Sequence, residues 1–136
     1  MFKLTLENER GKQIILHPSA EYVVTNIQGL TPPTATINSS VVALQDGEVY
    51  NSARVNTRNI VISIKPQPDV EKNRIALYDV AKTKHWCKLY FKSDTRDVYI
   101  EGYIESVEGS LFEMSQEIQI SILCHKPYFV ALETII

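Results

Sequence analysis

Strict alternation of apolar and polar residues is the feature that most constrains the fold of this chain. In "FKLTLE" the side chains of Phe2, Leu4 and Leu6 fall on one face and the residues between them on the other. This period of two is the pattern of a strand with one buried face. The turn formers "NERG" follow, and "KQIILH" then returns as the second strand of a predicted hairpin.

The same pattern recurs along the chain, and the breaks in it have turn chemistry. Glycine, proline and aspartate separate the apolar segments, as in "GLTPP" and "SDTRD". Together with the first hairpin, these segments predict about eight or nine strands. The further strands are predicted at residues 21–27, 35–44, 48–55, 58–66, 85–92, 97–109 and 113–124.

A single segment, "PDVEKNRIALYDVAKTK", has helical periodicity and predicts an α-helix over about residues 69–83. Asp69 is the expected N-cap, and Lys82 and Lys84 suit the C-terminal end of the helix dipole. One helix inserted after the fifth or sixth strand predicts a mainly β fold, an antiparallel sandwich or barrel whose helix covers one opening. The residues expected on the apolar face of the helix are Val70, Arg74 through its aliphatic stem, Leu77, Tyr78 and Ala81.

The composition excludes several classes of protein. A chain of 136 residues is one ordinary domain, and 22% charged residues with a formal net charge of −2 do not suit a disordered or a basic nucleic-acid-binding protein. Two cysteines are too few for a disulfide scaffold, and no apolar run approaches the ~20 residues that span a bilayer. The charged N-terminus "MFKLTLENER" lacks the apolar core of a signal peptide, so we expect a reducing cytoplasm as the site of synthesis.

Each of the two cysteines has a histidine nearby, which raises the question of a metal or nucleophile site. "KHWCK" puts His85 two residues before Cys87, and "SILCHK" puts Cys124 next to His125. Neither pair has the spacing of a closed zinc site, and adjacent residues of a strand point to opposite faces. A nucleophile would need a base and an oxyanion loop that the sequence does not indicate. We therefore predict no metal, no cofactor and no catalytic residue, with Cys87, Cys124 and Trp86 packed in the core.

Two other stretches are candidates for contact with a partner. The run "RVNTRN" gathers two arginines and two asparagines, which suits anion binding, carboxylate pairing or a solvated lead-in to the next strand. In "YIEGYIESVEG" the rings of Tyr99 and Tyr103 share a face with Glu101 and Glu105. Because aromatic platforms suit sugar rings, a module that binds host cell-wall carbohydrate is the alternative function; the competing interpretation is cross-strand packing of the tyrosines.

Five strings along nearly the whole chain together resemble one protein family. They are "YVVTNIQGLTPPTATINSS", "DGEVYNSARVNTRNIVISI", "EKNRIALYDV", "RDVYIEGYIESVE" and "QISILCHKPYF". This combination is similar to the N-terminal domain of distal tail proteins from long-tailed phages and prophages of Gram-positive bacteria. The resemblance implies a β-sandwich with a helix, related to the tail-tube fold, and a hexameric ring at the junction of tail tube and tail tip.

The function that the resemblance implies is structural. Such a subunit is synthesised in the cytoplasm of the bacterial host and belongs to the virion tail, where it joins the tail tube to the host-adsorption apparatus. The implied partners are other copies of itself, the tail tube protein and a tail-tip or tail-associated protein, without specific nucleic-acid binding or membrane insertion. Since many family members continue into a C-terminal domain, we expect residues 1–136 to be a short member or an N-terminal ring-forming domain alone.

A closed ring also predicts where the subunits meet. One patch of each copy must contact a different patch on the next, and we expect residues 46–59 to supply part of it, with Arg54 and Arg58 pairing with carboxylates of a neighbour. The resemblance further matches "CHKPYF" to the strand that ends the domain, with Tyr128 and Phe129 covering the core. The predicted interface residues are Asp46, Tyr50, Arg54, Asn56, Arg58 and Asn59.

Overall fold

The structure, a computed structural model, confirms the mainly β prediction. It describes residues 2–30, 35–41, 43, 46–109 and 117–131. Within these ranges ten strands and one helix follow one another along the chain. Their bounds are β1 Lys3–Asn8, β2 Gln13–His17, β3 Tyr22–Gln28, β4 Ala35–Val41, β5 Glu48–Val55, β6 Arg58–Pro66, α1 Val70–Val80, β7 Trp86–Lys92, β8 Asp97–Gly109, β9 Ile118–Cys124 and β10 Val130–Ala131.

Eight of these strands form one antiparallel sheet. Its order is β2-β1-β7-β8-β9-β6-β3, and the short strand β10 pairs with β8. The strands at the two ends of this path, β2 and β3, contact each other, so the sheet curls around its core in the manner of a barrel. We call the contact between β2 and β3 the seam. The helix packs against β1, β2 and β6, which are the strands at and beside the seam.

Alternation places a continuous layer of aliphatic side chains inside this sheet. Leu4 and Leu6 of β1 are fully buried as predicted, and Phe2 packs against the core from its edge. Burying each such side chain stabilises the fold by roughly 1.5–3 kcal/mol. The largest fully buried side chains are Leu4, Leu6, Leu16, Ile60, Ile62, Ile64, Leu77, Leu89, Ile100, Ile104, Ile118 and Ile120.

Most strand boundaries agree with the prediction to within one residue. The differences are at two predicted strands and at the short strand β10, which was not predicted. β4 ends at Val41, and the last predicted residues of that strand include Val42 and Leu44, which lie outside the described residues. β9 begins at Ile118, and residues 113–116 of its predicted strand also lie outside them.

The helix is shorter than the sequence pattern predicts. It ends at Val80, whereas the prediction extended to residue 83, and the side chain of Asp69 makes no capping hydrogen bond. Lys84 has a left-handed backbone, with φ 77°, so the lysines expected in the last turn lie beyond the helix. Among the described residues, no helix is both long and apolar enough to cross a membrane.

The helix buries most of the predicted row of residues, together with Asn73 and Val80, which the sequence pattern did not predict. Leu77 and Ala81 are buried and Tyr78 packs against the core as predicted, whereas Arg74 is only half-buried. Asn73 is tolerated in the interior because its side-chain amide donates to the Gln67 carbonyl at 3.1 Å. The backbone carbonyl of Asn73 accepts a hydrogen bond from the Tyr22 hydroxyl at 2.6 Å. A satisfied polar residue therefore attaches the start of the helix to β3.

A row of inward-facing residues crosses the sheet at one end of the barrel. Cys87 of β7 pairs with Gly102 of β8, and Cys124 of β9 pairs with Arg58 of β6. A Cβ at Gly102 would lie 2.7 Å from the Ile122 side chain and 3.0 Å from the Cys124 sulfur. The side chains of β9 can therefore pack this closely against β8 only because the position between the two cysteines is a glycine.

Replacing Gly102 with alanine tests this close fit. We expect Gly102→Ala to lower the free energy of unfolding by about 1–3 kcal/mol, because the added methyl group overpacks the core. Gly109→Ala, in the same strand, is the matched control, since its Cβ would make ordinary contacts no closer than 3.4 Å. Urea unfolding followed by circular dichroism measures both variants, and equal midpoints for the two would contradict the close fit.

Candidate assembly surface

β4 and β5 form a hairpin that is separate from the main sheet. In the described part of the chain these two strands pair only with each other, and the seven residues of β4 extend roughly 23 Å. The hairpin leaves the barrel between β3 and β6, which are neighbours in the main sheet. Because an isolated two-stranded ribbon is only marginally stable in water, contact with a partner would stabilise this hairpin.

One face of the hairpin is largely apolar, although Ser39 and Glu48 also lie on it and are hydrogen-bonded to each other. The strand register, with a β-bulge after Asn38, places four large apolar residues on the same face. Their exposed fractions are 65% for Ile37, 74% for Val41, 64% for Tyr50 and 41% for Val55. Single exposed apolar residues are common, but a group of four on one projecting face is typical of an interaction surface. We call this surface the hairpin face.

The hairpin face was only partly predicted from the sequence. Tyr50 is the one residue that the prediction and the hairpin face share, because the prediction followed charged and amide residues. The signal for two of the others was present, since Ile37 and Val41 continue the period of two in "ATINSSVV". Alternation shows which residues share a face of a strand, but it does not show whether another element of the chain packs against that face.

The other predicted interface residues lie in different environments. Asp46 and Arg54 are exposed on the hairpin, with Arg54 on the side opposite to the hairpin face. Asn56 is half-buried beyond the end of β5, and it has an interaction partner. Asn59 is exposed in β6, where its side-chain oxygen accepts a hydrogen bond from Ser121 at 2.9 Å. The structure does not gather these four side chains into one cluster, and their role in an interface stays a prediction.

Arg58 differs from the other predicted residues because it is buried, with 7% of its surface exposed. Its Nε donates to the Pro127 carbonyl at 2.8 Å, and its Nη1 donates to the Gly29 carbonyl at 2.7 Å. The guanidinium also lies 5.0 Å from the centre of the Phe129 ring. These contacts commit the guanidinium to its own chain and do not favour the pairing of Arg58 with a carboxylate of a neighbouring copy, which stays a prediction.

Gly29 and Arg58 form the root from which the hairpin projects. Gly29 follows β3 and Arg58 begins β6, so the two stems of the hairpin meet at this point. Gly29 has φ 92°, and a Cβ there would lie 2.0 Å from the carbonyl oxygen of Asn59. Only glycine permits both this backbone conformation and this close approach. We call Gly29, Arg58 and Asn59 the hairpin root.

The cysteines and histidines do not come together as a site. Cys87 and Cys124 are both buried and free. The Nδ1 atom of His85 bonds to the carboxylate of Glu9 on the β1–β2 turn, whereas His125 is exposed beyond the end of β9. Across the described ranges, no three His, Cys, Asp or Glu side chains are grouped so that they could hold a metal ion.

The aromatic residues assigned to the core have three different positions. Phe129 packs against the core below Arg58. Trp86 is half-buried on the outer face of the sheet, where the Lys88 ammonium lies 5.4 Å from its ring centre. Its assignment to the core is therefore wrong, because the adjacent Cys87 takes the inward-facing position of the strand. Tyr128 is 60% exposed, so its assignment to the core is wrong. The assignment came from the resemblance of "CHKPYF" to a strand that ends the domain, whereas in this structure the strand ends at Cys124 and Tyr128 lies beyond it.

Two solved structures from phage tails have a similar fold. The SPP1 Dit protein, described as a paradigm of the hub adsorption apparatus in phages that infect Gram-positive bacteria, matches with a TM-score of 0.70 and 13% sequence identity, over 96% of this chain and 53% of that one. The phage P2 baseplate in its activated conformation with Ca matches with a TM-score of 0.66 and 12% identity, over 90% of this chain and 44% of that one. This chain thus spans about half the length of the chains it matches.

These comparisons confirm the predicted relation to distal tail proteins at the level of the fold. No protein-family model matches the sequence, and no curated protein matches it either. Sequence identities of 12–13% show a common architecture, a mostly antiparallel β domain with a single helix.

The chemistry of the two thiols gives a prediction about pH. Burial raises the pKa of Cys87 from 9.0 to about 12 and that of Cys124 to about 11, because the interior disfavours the thiolate. We expect both thiols to resist a disulfide reagent at pH 8 in the folded protein and to react once the protein is unfolded in denaturant. Since both pKa values are raised, their contribution to stability is complete below pH 9 and is lost as the pH rises towards 11–12. Rapid labelling of the folded protein at pH 8 would contradict the burial.

The hairpin root gives a second prediction. Arg58→Ala removes two charge-assisted hydrogen bonds and leaves the Gly29 and Pro127 carbonyls without this donor, so we expect a loss of about 3 kcal/mol in the free energy of unfolding. Arg54→Ala is the matched control, because an exposed arginine contributes no more than about 0.5 kcal/mol. Denaturant unfolding of both variants measures the difference. Equal losses in the free energy of unfolding would contradict the stabilising role of Arg58 in the hairpin root.

Proposed function

We propose that this chain is a structural subunit of a phage tail tip, where it forms a ring that joins the tail tube to the host-adsorption apparatus. The observation that carries the proposal is the hairpin face, because a permanent assembly is what keeps such an apolar surface covered. The fold supports it, since the SPP1 Dit protein and the phage P2 baseplate share that fold. We propose a hexameric ring and a structural role without catalysis.

The subunit contact that we propose is heterologous. A ring closes when one patch of each copy meets a different patch on the next copy. The hairpin face is the first patch, and the seam offers the second, because Ile15 of β2 and Val23 of β3 both have exposed side chains. A permanent contact buries on the order of 2,000 Å², so the hairpin backbone belongs to it as well. Arg54, on the other side of the hairpin, is then placed to pair with a carboxylate of a neighbour.

The ring has further partners in this proposal. One side of it would contact the tail tube protein and the other a tail-tip or tail-associated protein, after synthesis in the cytoplasm of the bacterial host. The formal net charge of −2 supports a ring that lets DNA pass, because a mildly acidic surface does not hold the phosphate backbone.

A charge on the hairpin face should prevent assembly. We expect Tyr50→Glu to shift the purified protein from rings to monomers, because the contact would have to bury an unpaired carboxylate. Tyr128→Glu is the matched control, since Tyr128 is an equally exposed tyrosine outside the hairpin. Mass photometry and negative-stain imaging measure the outcome. Rings formed equally well by both variants, or a wild-type protein that stays monomeric at every concentration, would contradict the proposal for this chain.

Mixing two assembly-deficient variants tests the heterologous contact itself. Tyr50→Glu keeps an intact seam, and Val23→Glu, with its altered seam, keeps an intact hairpin face. We expect each variant alone to be monomeric and the mixture to give dimers, because one hairpin face and one seam remain compatible and no further subunit can be added. A mixture that stays monomeric would contradict the pairing of these two patches.

A further inference from the structure

The outer face of the sheet carries a pocket that the proposed ring does not use. It is a cavity of about 220 Å³ over β7 and β8, closed on one side by the residues that follow β9. The surface combines aromatic rings with a carboxylate, an imidazole and an ammonium group. The lining residues are Trp86, Glu101, Gly102, Tyr103, His125 and Lys126.

Strand register builds this pocket. Cys87 and Gly102 form one inward-facing pair of β7 and β8, so the next pair, Trp86 and Tyr103, stands side by side on the outer face. The two rings are therefore cross-strand neighbours. Tyr103 is 49% exposed, which leaves about half of its surface open to a ligand.

The residues at and after the end of β9 form another wall of the pocket, beside the rings of Trp86 and Tyr103. Cys124 is the last residue of that strand and is buried, and the chain then turns outward. The His125 ring meets the Tyr103 ring edge-on, with 5.9 Å between ring centres and an angle of 80°. Lys126 follows it at the rim of the pocket. The pair "HK" thus adds two nitrogen donors beside the aromatic surface.

The carboxylate of Glu101 is available to a ligand, because the neighbouring charged side chain does not pair with it. Lys88 lies directly across the ladder from Glu101, but its ammonium group is 5.4 Å from the ring centre of Trp86 and 5.2 Å from that of Tyr99. In the part of the chain that the structure describes, the Glu101 side chain has no hydrogen bond or ion pair. A half-buried carboxylate without a partner, next to two aromatic rings, is an acceptor for a ligand that brings its own donors.

We propose that this pocket binds one pyranose ring of a cell-surface polysaccharide. A pyranose has an apolar C–H face, which suits the rings of Trp86 and Tyr103, and an edge of hydroxyl groups that can donate to Glu101. The ammonium of Lys126 can donate to hydroxyl oxygens at the same edge. The site differs from the platform predicted at the sequence level, because Tyr99 is half-buried between Lys88 and Tyr90 and is not part of the lining.

Two observations narrow the class of ligand. The positive charges of Lys88 and Lys126 disfavour a cationic ligand such as a quaternary ammonium group, although aromatic rings alone would attract one. The volume of 220 Å³ is below the roughly 300–1,000 Å³ of common small-molecule sites, so the pocket takes a single ring. A longer polysaccharide would then bind through one unit per subunit, and a ring of subunits would bind it with avidity.

The single tryptophan of the chain makes this proposal directly testable. In the full chain labelled with ¹⁵N, the Trp86 indole resonance should shift on titration with methyl β-D-glucopyranoside or N-acetylglucosamine. We expect a dissociation constant on the order of 1 mM for at least one of these probes, as befits a ligand of few atoms. Tyr103→Ala and Glu101→Gln should each weaken binding at least tenfold. Tyr128→Ala, which removes an exposed tyrosine outside both the pocket and the hairpin face, should leave binding unchanged.

The outcomes separate this proposal from the proposed ring. Tyr103→Ala should leave the distribution of oligomers measured by mass photometry unchanged while sugar binding weakens. Absence of any indole shift with both probes, or unchanged binding by both Tyr103→Ala and Glu101→Gln, would overturn the sugar site without touching the ring. Loss of rings in Tyr103→Ala, with a thermal unfolding curve like that of the wild type and no sugar-dependent shift, would instead identify the pocket as a subunit contact.

Discussion

The buried guanidinium of Arg58 is the contact on which the rest of the structure depends. It donates to the carbonyls of Gly29 and Pro127, so one side chain connects the segment before the hairpin, the first residue of β6 and the segment after β9. A buried charge is tolerated only when its donors are satisfied, so the three segments are fixed together. The planar fork of arginine suits two carbonyls that lie in different directions, whereas lysine would place one compact ammonium group there.

This anchoring explains how a marginal element can serve in an assembly. The hairpin is a two-stranded ribbon with little packing of its own, and its direction is set where it leaves the barrel, at the close contact of Gly29 with Asn59. A heterologous ring closes only at one rotation per subunit. In the proposed ring a rigid root would therefore serve more than stability, because an error in the direction of the hairpin would be repeated at every contact between subunits.

What the sequence predicts well is local, and what it misses is contact between distant segments. The strands can be predicted from alternation because successive residues of a strand point to opposite faces of the sheet. The glycines in the turns mark where the strands end. The burial of Arg58 depends on carbonyls 29 residues before it and 69 residues after it, which no pattern around "RVNTRN" contains. The burial of Asn73 was missed for the same reason, since its side-chain amide donates to the carbonyl of Glu21, 52 residues before it, at 3.5 Å. Tyr128 was misplaced because the resemblance placed "CHKPYF" in the last strand, whereas β9 ends at Cys124 and leaves Tyr128 exposed.

The same register that fills the core also determines the outer pocket. Because Gly102 must face Ile122 and Cys124, its neighbour Tyr103 must face outward next to Trp86, and a slip of one residue would exchange the two faces. β7 and β8 lie in the middle of the sheet, separated from the seam by β1 and β2 on one side and by β9, β6 and β3 on the other. The proposed contact between the hairpin face and the seam would therefore leave the pocket open. Under the two proposals, one domain would form the ring through its edges and bind a sugar through the centre of its sheet.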